Sequence, residues 1–330
     1  IEGSDQGGGL TPLSRWRAEL GDTYLRWRSG ATRVTAGAQT IVWGRVDGLA
    51  PMDRVSRVDL TRLVLDDLSE QRLALPALRL EQTFAGTKLD AVALLPGYRG
   101  AVTADVASVW SLVNRSSGEI AGIESTPALA AFVRTSRVQA DQPDSGGAAL
   151  RLTRAVESAG LDLGLTLAHT RQSLPYYEPD FAGGTLTAVH PYVGFAGLDA
   201  ELATGGFTWR TELGWSDGVA VTAPDGRRLE RRAFEWVAGV EFFPGGEDTR
   251  VTLQLSTRRL SGGNGPILQL ERYTALAGEV QTTFDQGRWR AGLRFNSGLN
   301  VHDTYLSPSL AWLGWEPHEF YVAWHHFDGA

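Results

Sequence analysis

Ten charged side chains are concentrated in one stretch of the sequence, residues 47–74, which breaks an otherwise regular pattern. They are Asp47, Asp53, Arg54, Arg57, Asp59, Arg62, Asp66, Asp67, Glu70 and Arg72. Acidic and basic groups that face each other across a water-filled space set up a transverse field, which selects solutes by charge. Two other interpretations stay open: the charges pair with each other and hold a plug in place, or the stretch is a solvated surface loop.

A second set of charged side chains recurs at alternate positions along segments with the pattern of β-strands. Its members are Arg33, Arg79, Glu81, Arg210, Glu212, Arg250, Arg288, Arg290 and Arg294. Further acids at the same kind of position are Glu201, Glu235 and Glu279. A ladder of arginines along a pore attracts anionic solutes. Since acids accompany the arginines, we favour cross-strand ion pairing that fills a polar interior.

Hydrolysis by a serine and a histidine is the competing, enzymatic interpretation. The histidines are His169, His190, His302, His318, His325 and His326. His169 and His302 have a serine or threonine nearby in sequence, but this proximity does not establish triad geometry, and no Gly-x-Ser-x-Gly motif occurs. His325 and His326 would project to opposite faces of a strand, which does not suit a metal pair. We therefore expect no catalytic residues, no metal site and no enzymatic activity.

The composition disfavours several further classes of protein. The chain has no cysteine, so disulfides and thiolate metal sites are excluded. The glycine clusters at 7–9 and 262–265 lie outside any strand-to-helix context, so we expect no phosphate cradle and no cofactor. The net charge of −7 disfavours nucleic acid as a partner.

The elements that must position these groups are predicted to be strands. Phe207, Trp209, Leu213 and Trp215 share one face of such a segment, and the residues between them are polar or glycine. Several patterns run for about 10–15 residues, which suits strands that cross a membrane at a tilt. With no helical layer to cover the apolar face, the sequence predicts an all-β transmembrane antiparallel β-barrel of about 14–16 strands, with inserts able to fold into its lumen.

The same pattern divides the chain into regions. Residues 1–13 are glycine-rich and predicted to be a flexible leader, and residues 14–330 a single barrel with long inserts at 47–74 and 98–126. Helical spacing predicts a short helix from Asp59 to Arg72 and partly helical structure from Val106 to Asn114. Short turns alternate with longer connections such as 219–228 and 260–271, as in outer-membrane barrels. No apolar run approaches the roughly 18–20 residues of a spanning helix.

One region carries a family resemblance. Its motifs are Ile41-Val42-Trp43-Gly44-Arg45-Val46-Asp47-Gly48-Leu49, Asp53, the step Asp59-Leu60-Thr61-Arg62, Asp66-Asp67-Leu68 and Pro76-Ala77-Leu78-Arg79-Leu80. This pattern resembles a proteobacterial outer-membrane porin-like family catalogued as domain of unknown function 1302. The resemblance covers residues of about 20–100 and departs from the family at Thr61 and in residues 72–76. It implies a porin-like barrel and no established substrate.

These observations together predict a porin-like channel that passes a small solute or amphiphile and is gated or narrowed by residues 47–74. Its expected location is the outer membrane of a Gram-negative cell, as an integral protein in contact with membrane lipid and lipopolysaccharide. The alternative is a plugged barrel that serves as a binding or assembly component of an envelope complex, with a periplasmic or envelope partner protein.

Overall fold

The computed structural model describes residues 2–6, 13–17, 19, 21–46, 50–65, 71–141 and 143–329. The first twelve strands are β1 (Glu2–Gln6), β2 (Leu13–Arg17), β3 (Thr23–Ser29), β4 (Thr32–Gln39), β5 (Arg57–Leu60), β6 (Arg72–Leu73), β7 (Leu75–Phe84), β8 (Thr87–Leu94), β9 (Val102–Thr103), β10 (Val113–Asn114), β11 (Glu119–Ile120) and β12 (Arg137–Ala140). The remaining strands are β13 (Gly147–Val156), β14 (Leu161–Arg171), β15 (Tyr176–Asp180), β16 (Thr185–Val189), β17 (Tyr192–Thr204), β18 (Phe207–Thr222), β19 (Arg228–Phe242), β20 (Thr249–Ser261), β21 (Arg272–Phe284), β22 (Trp289–Gly298), β23 (Asp303–Trp315), β24 (His318–Ala323) and β25 (His326–Gly329). One α-helix, α1, spans Pro127–Thr135, and 3-10 helices span Leu63–Leu65 and Glu157–Ala159.

One large antiparallel sheet dominates the molecule. Its 15 strands follow the order β24-β23-β22-β21-β20-β19-β18-β17-β14-β13-β8-β7-β4-β3, with β25 also paired to β23. β24 and β25 pair with different parts of β23, so they occupy one position at the edge of the sheet. In the described part of the chain the outermost strands, β3 and β24, are not paired with each other. The predicted all-β class and the large antiparallel sheet are confirmed.

The connections of this sheet differ in length at its two ends. At one end, the short-turn end, the connections are residues 30–31, 85–86, 157–160, 205–206, 243–248, 285–288 and 316–317. At the other, the long-loop end, they are residues 40–74, 95–146, 172–191, 223–227, 262–271 and 299–302. The alternation agrees with the predicted one, with two exceptions at the long-loop end. Strands β18 and β19 leave only the short turn 223–227 where a longer loop was expected at 219–228, and β22 and β23 are joined by the short connection 299–302.

The two faces of the sheet have the reverse of the polarity seen in water-soluble proteins. On β14, Leu163, Leu165 and Leu167 are exposed, whereas Thr166 between them is fully buried. On β18, Leu213 and Trp215 are exposed, whereas Glu212, next to Leu213, is 0% exposed. Since side chains alternate between faces, one face is apolar and exposed, and the other is polar and covered. We call the covered face the inner face.

The long loops build a small cap at the long-loop end. It contains α1, the pair β10–β11 and a three-stranded sheet in the order β12-β16-β15. Thr126 caps α1 by accepting a hydrogen bond from Leu129 N (3.2 Å), and Pro127 occupies its first turn, where a missing N–H costs nothing. The helix buries Leu129 and Val133 in a core whose other buried members are Val113, Ile120, Tyr177, Leu186 and Leu268.

The helical predictions for both inserts are wrong. Between Asp59 and Arg72 the chain instead forms β5, one 3-10 turn and, after residues outside the described part, β6. β5 pairs with β6 and, in parallel, with β9, and these pairings use the backbone groups that a helix would need. From Val106 to Asn114 the chain forms turns and the short strand β10. The second insert is longer than predicted, because it extends to residue 146 and includes α1.

The N-terminal strands lie outside the main sheet. β1 and β2 form a separate antiparallel pair, so the predicted leader at 1–13 includes the first of these strands. Among the described residues, no helix has the length and apolar character needed to cross a membrane.

Replacing Leu186 with alanine tests whether the cap is a cooperative packing unit. Leu186 is 0% exposed in the cap core, so we expect this change to destabilise the cap by about 2–5 kcal/mol. Hydrogen exchange should then accelerate in α1 and β12, while β18–β22 keep their protection. The control is Leu174→Ala, since Leu174 is 54% exposed. Equal acceleration in both variants would contradict a distinct cap core.

Candidate functional site

A segment of the first insert lies across the inner face of the sheet. We call residues 41–46 and 50–65 the inner segment. Ile41, Trp43 and Val55 are buried in one cluster with strand residues of β7, β8 and β13, which are Leu75, Ala77, Val92, Leu94 and Ala149. Trp43 Nε1 also donates a hydrogen bond to Asp90 of β8 (3.2 Å). Apolar packing therefore holds the start of the inner segment against this part of the sheet.

A single buried carboxylate fixes the inner segment to β18. Glu212 accepts hydrogen bonds from the backbone N–H groups of Arg45, Val46 (3.1 Å) and Met52 (3.0 Å). The carboxylate is 0% exposed and is satisfied by backbone donors instead of by a cation. Since one carboxyl group accepts three backbone hydrogen bonds, Glu212 is the main polar anchor of the segment.

Gly44 permits the close approach to this carboxylate. Its φ is +133°, a conformation that side chains rarely adopt. A Cβ at Gly44 would lie 3.1 Å from the Cβ of Ala50 and 3.2 Å from Glu212 Oε1. The Trp43-Gly44-Arg45 step therefore combines a packed indole, a turn that needs glycine and a backbone donor to Glu212.

Two arginines of the inner segment reach acidic side chains on neighbouring strands. Arg45 forms an ion pair with Asp199 of β17, and its guanidinium lies 3.8 Å from Asp162 of β14. Arg54 forms an ion pair with Glu235 of β19 and lies over the ring of Phe195, 4.2 Å from its centroid. The inner segment therefore contacts β14 and β17–β19 mainly through ion pairs and a cation–π contact.

The other described constriction candidates mostly pair within or near the insert. Arg72 pairs with Asp53, and burial, which outweighs the attraction of Arg72, raises the pKa of the Asp53 carboxyl. Asp59 accepts hydrogen bonds from the backbone N–H (2.8 Å) and the hydroxyl (2.7 Å) of Thr61. These contacts match the predicted salt-bridged plug more closely than a row of free charges.

Two further arginines of the insert point to other parts of the molecule. Arg57 pairs with Glu19 (2.8 Å) and donates to the carbonyl of Gly100 (2.9 Å), so it ties the two inserts together. Arg62 lies close enough to His325, at the C-terminal edge of the sheet, to interact electrostatically with it. The candidates Asp47, Asp66, Asp67 and Glu70 lie outside the described residues.

The second insert meets the loop that precedes β17 around a buried histidine. His190 Nδ1 lies 2.9 Å from the carbonyl oxygen of Gln172, and its ring stands edge-on to Tyr98. A Cβ at Gly100 would lie only 2.0 Å from His190 Cε1, so this position requires glycine. Burial lowers the pKa of His190 and raises the pKa of Tyr98 to about 12. Both side chains are therefore neutral at pH 7 and act in packing.

The predicted lumen-lining residues on strands lie on the inner face and are largely paired. Their ion pairs are Arg33–Glu81 (3.1 Å), Arg79–Asp90, Arg210–Glu201 (2.8 Å), Arg250–Glu279 (2.7 Å) and Arg290–Glu319. Arg294 donates to the hydroxyl of Tyr305 (3.4 Å). Arg288 lies in the turn before β22, where it pairs with Asp285 (2.8 Å), and not on a strand. Cross-strand pairing, the favoured interpretation, describes most of this set.

The charges of the inner face are divided by sign along the sheet. Strands β3–β13 carry six cations and two acids, namely Arg26, Arg28, Arg33, Arg79, Lys88, Arg151, Glu81 and Asp90. Strands β14 and β17–β19 carry six acids, namely Asp162, Asp199, Glu201, Glu212, Glu235 and Glu241, and the two cations Arg210 and Arg231. The inner segment brings Arg45 and Arg54 to the acidic part, so its charges complement the sheet it covers.

The sequence analysis missed several residues that hold the site together. Asp90, Arg151 and Asp199 are buried on the inner face, and Arg151 joins Asp199 (2.9 Å) to the hydroxyl of Thr166 (2.9 Å). The alternation of faces along β8, β13 and β17 was the signal that could have found them. Arg45 and Trp43 lay within the family-like motif but were not assigned a contact.

Comparison with known proteins adds no assignment. The sequence matches no protein-family profile, and no curated protein matches it significantly. The resemblance to the outer-membrane porin-like family, drawn from residues of about 20–100, therefore stays a prediction.

Replacing Glu212 with alanine tests its role as the anchor of the inner segment. The change removes the acceptor of three backbone N–H groups, so hydrogen exchange at Arg45, Val46 and Met52 should accelerate by at least about tenfold. Glu279→Ala is the control, because Glu279 lies on the same face but pairs with Arg250. Unchanged protection in Glu212→Ala would show that the apolar packing and the ion pairs of Arg45 and Arg54 hold the segment without Glu212.

Proposed function

We propose that this chain is an integral outer-membrane β-barrel whose polar lumen passes a small solute or amphiphile. The observation that carries the proposal is the reversed polarity of the sheet, in which leucines and tryptophans are exposed while carboxylates and arginines are covered. An exposed apolar face this extensive is unfavourable in water and stable in lipid. The enclosing solvent is then the lipid and lipopolysaccharide of a Gram-negative outer membrane.

Contacts between distant parts of the sheet support a closed barrel. Arg62 comes from the loop between β4 and β7, near one edge of the sheet, and interacts with His325 at the other edge. Trp110, from the loop between β8 and β13, packs on Phe327 of β25 with ring centroids 5.9 Å apart. Both contacts favour a strand path that curves until its two edges approach each other. Closure would also satisfy the open backbone groups of β3 and β24.

The inner segment narrows the proposed lumen. It contacts β8, β17, β18 and β19 and approaches the C-terminal edge, so it crosses the interior instead of lining one wall. Selection then depends on the remaining width and on the charges left facing the lumen. No chemical step and no cofactor enter this mechanism.

The density of these contacts favours one alternative, a barrel that stays plugged and serves a binding or assembly role. Glu212, Arg45 and Arg54 hold the segment by buried polar contacts, and such contacts are costly to break. In that case a periplasmic or envelope protein would be the functional partner. The two candidates differ in whether the protein conducts ions when the segment is loosened.

Single cysteines on adjacent residues of β20 test the lipid-facing assignment, because the chain has no cysteine of its own. Leu253 belongs to the exposed apolar face, and Gln254 to the inner face. In liposomes, a nitroxide at Leu253→Cys should collide preferentially with oxygen, and one at Gln254→Cys with a polar paramagnetic reagent. The same preference at both positions would rule out a membrane-spanning strand here.

Planar-bilayer conductance tests the channel assignment. In Arg45→Ala/Arg54→Ala the inner segment loses its ion pairs to Asp199 and Glu235, so we expect a larger single-channel conductance than in the unmodified protein. The matched control is Arg227→Ala/Arg228→Ala, whose arginines lie in and beside the exposed turn 223–227. Absence of conductance in all three proteins, with folding intact, would favour the plugged alternative.

A further inference from the structure

A cavity at the short-turn end of the inner face carries an excess of positive charge. Its volume is about 360 Å³, and it is lined by Arg28, Gly30, Ala31, Thr32, Arg33, Glu81, Thr83 and Lys88. This volume falls within the range of roughly 300–1,000 Å³ that is usual for ligand pockets. Three cations and one carboxylate leave the cavity with a net charge of +2.

The one carboxylate of the cavity is already shared. Glu81 lies 3.1 Å from Arg33, 2.7 Å from Lys88 and 3.6 Å from Arg79, which also pairs with Asp90. Burial tends to raise the pKa of a carboxyl, but three cations surround this one and stabilise its charge. Glu81 therefore has no remaining capacity to neutralise a further cation.

Arg28 is the cation left without a counter-charge. Within the described chain, no carboxylate lies within ion-pair distance of it. Arg28 stands directly opposite Arg33 in the pairing of β3 with β4, so two like charges face each other across the strands. Like charges at directly opposed positions are destabilising. An anion bound between them would remove this repulsion.

We propose that this cavity binds the anionic oxygen group of a solute, a phosphate or a carboxylate, with Arg28, Arg33 and Lys88 as its donors. Guanidinium groups match the geometry of such groups, and the ammonium adds a point charge. The cavity lies on the inner face, away from the exposed apolar face, which favours a dissolved anion over a lipid headgroup. This choice of source rests on the proposed function, because that function makes the inner face the lumen.

Lys88 provides a direct readout, since it is the only lysine in the chain. The full chain in detergent is acetylated with an uncharged amine reagent, and the Lys88 peptide is quantified by mass spectrometry. Inorganic phosphate should slow acetylation of Lys88 relative to chloride at the same ionic strength. In Arg28→Gln the phosphate concentration for half-protection should rise by about tenfold, as expected for loss of one charge-assisted contact.

The matched control is Arg154→Gln. Arg154 lies at the same end of the sheet, opposite Thr87, but on the exposed face. In this variant, phosphate should protect Lys88 from acetylation at the same concentration as in the unmodified protein. No protection by phosphate, or equal weakening in Arg28→Gln and Arg154→Gln, would overturn the site, because the second result indicates only bulk electrostatics.

A second arm distinguishes the source of the anion. The protein is reconstituted in vesicles of phosphatidylcholine alone or with phosphatidylglycerol, without added phosphate. If Lys88 is protected only when phosphatidylglycerol is present, and not by dissolved phosphate, the assignment of the anion to a dissolved solute is wrong. Because acetylation needs no transport, a protein that does not conduct would still reveal this site, and a conducting protein without protection would overturn the site alone.

Discussion

The organisation of this molecule depends on one constraint: charges that are covered must have partners. Burying an ion that has neither a counter-charge nor hydrogen-bond partners costs on the order of several kcal/mol, even after local relaxation. Strand alternation places Glu81, Asp90, Asp199 and Glu212 on the covered face of the sheet. Each of them has a counter-charge or backbone donors, so the interior works as a connected polar network.

The inner segment is part of that network and is best understood through it. Asp199 and Glu212 are directly opposed across β17 and β18, which would repel if both lacked partners. Arg45 and Arg151 compensate Asp199, and three backbone N–H groups compensate Glu212. The sheet and the segment therefore stabilise each other, and the segment has one favoured position. The arginines of the inner segment therefore match the acidic side chains of the strands that it covers.

Sequence alone predicted the sheet because alternation is a local property. Trp209 and Glu212 fall on opposite faces whatever the distant parts of the chain do, and the structure places them so. The helix expected from Asp59 to Arg72 failed for a non-local reason: β5 pairs with β9, more than forty residues away in sequence. The helix α1 was missed although Thr126 and Pro127 form a recognisable N-terminal boundary. The charged insert was recognised, but the identity of each partner depended on the curvature of the sheet.

The same constraint explains why the two ends of the inner face differ. At the long-loop end of β7 and β8 the inner face is apolar, and Leu75, Val92 and Leu94 pack against Ile41 and Trp43. At the short-turn end, the cations of β3, β4 and β8 that line the cavity outnumber its carboxylates. A protein chain that needed only a stable interior would place an acid opposite Arg28, as Glu201 stands opposite Arg210. Arg33 has Glu81 as a partner, whereas the exposed Arg28 opposite it relies on water or a mobile anion for its missing charge. This end of the molecule is therefore the place where such an exchangeable partner has access.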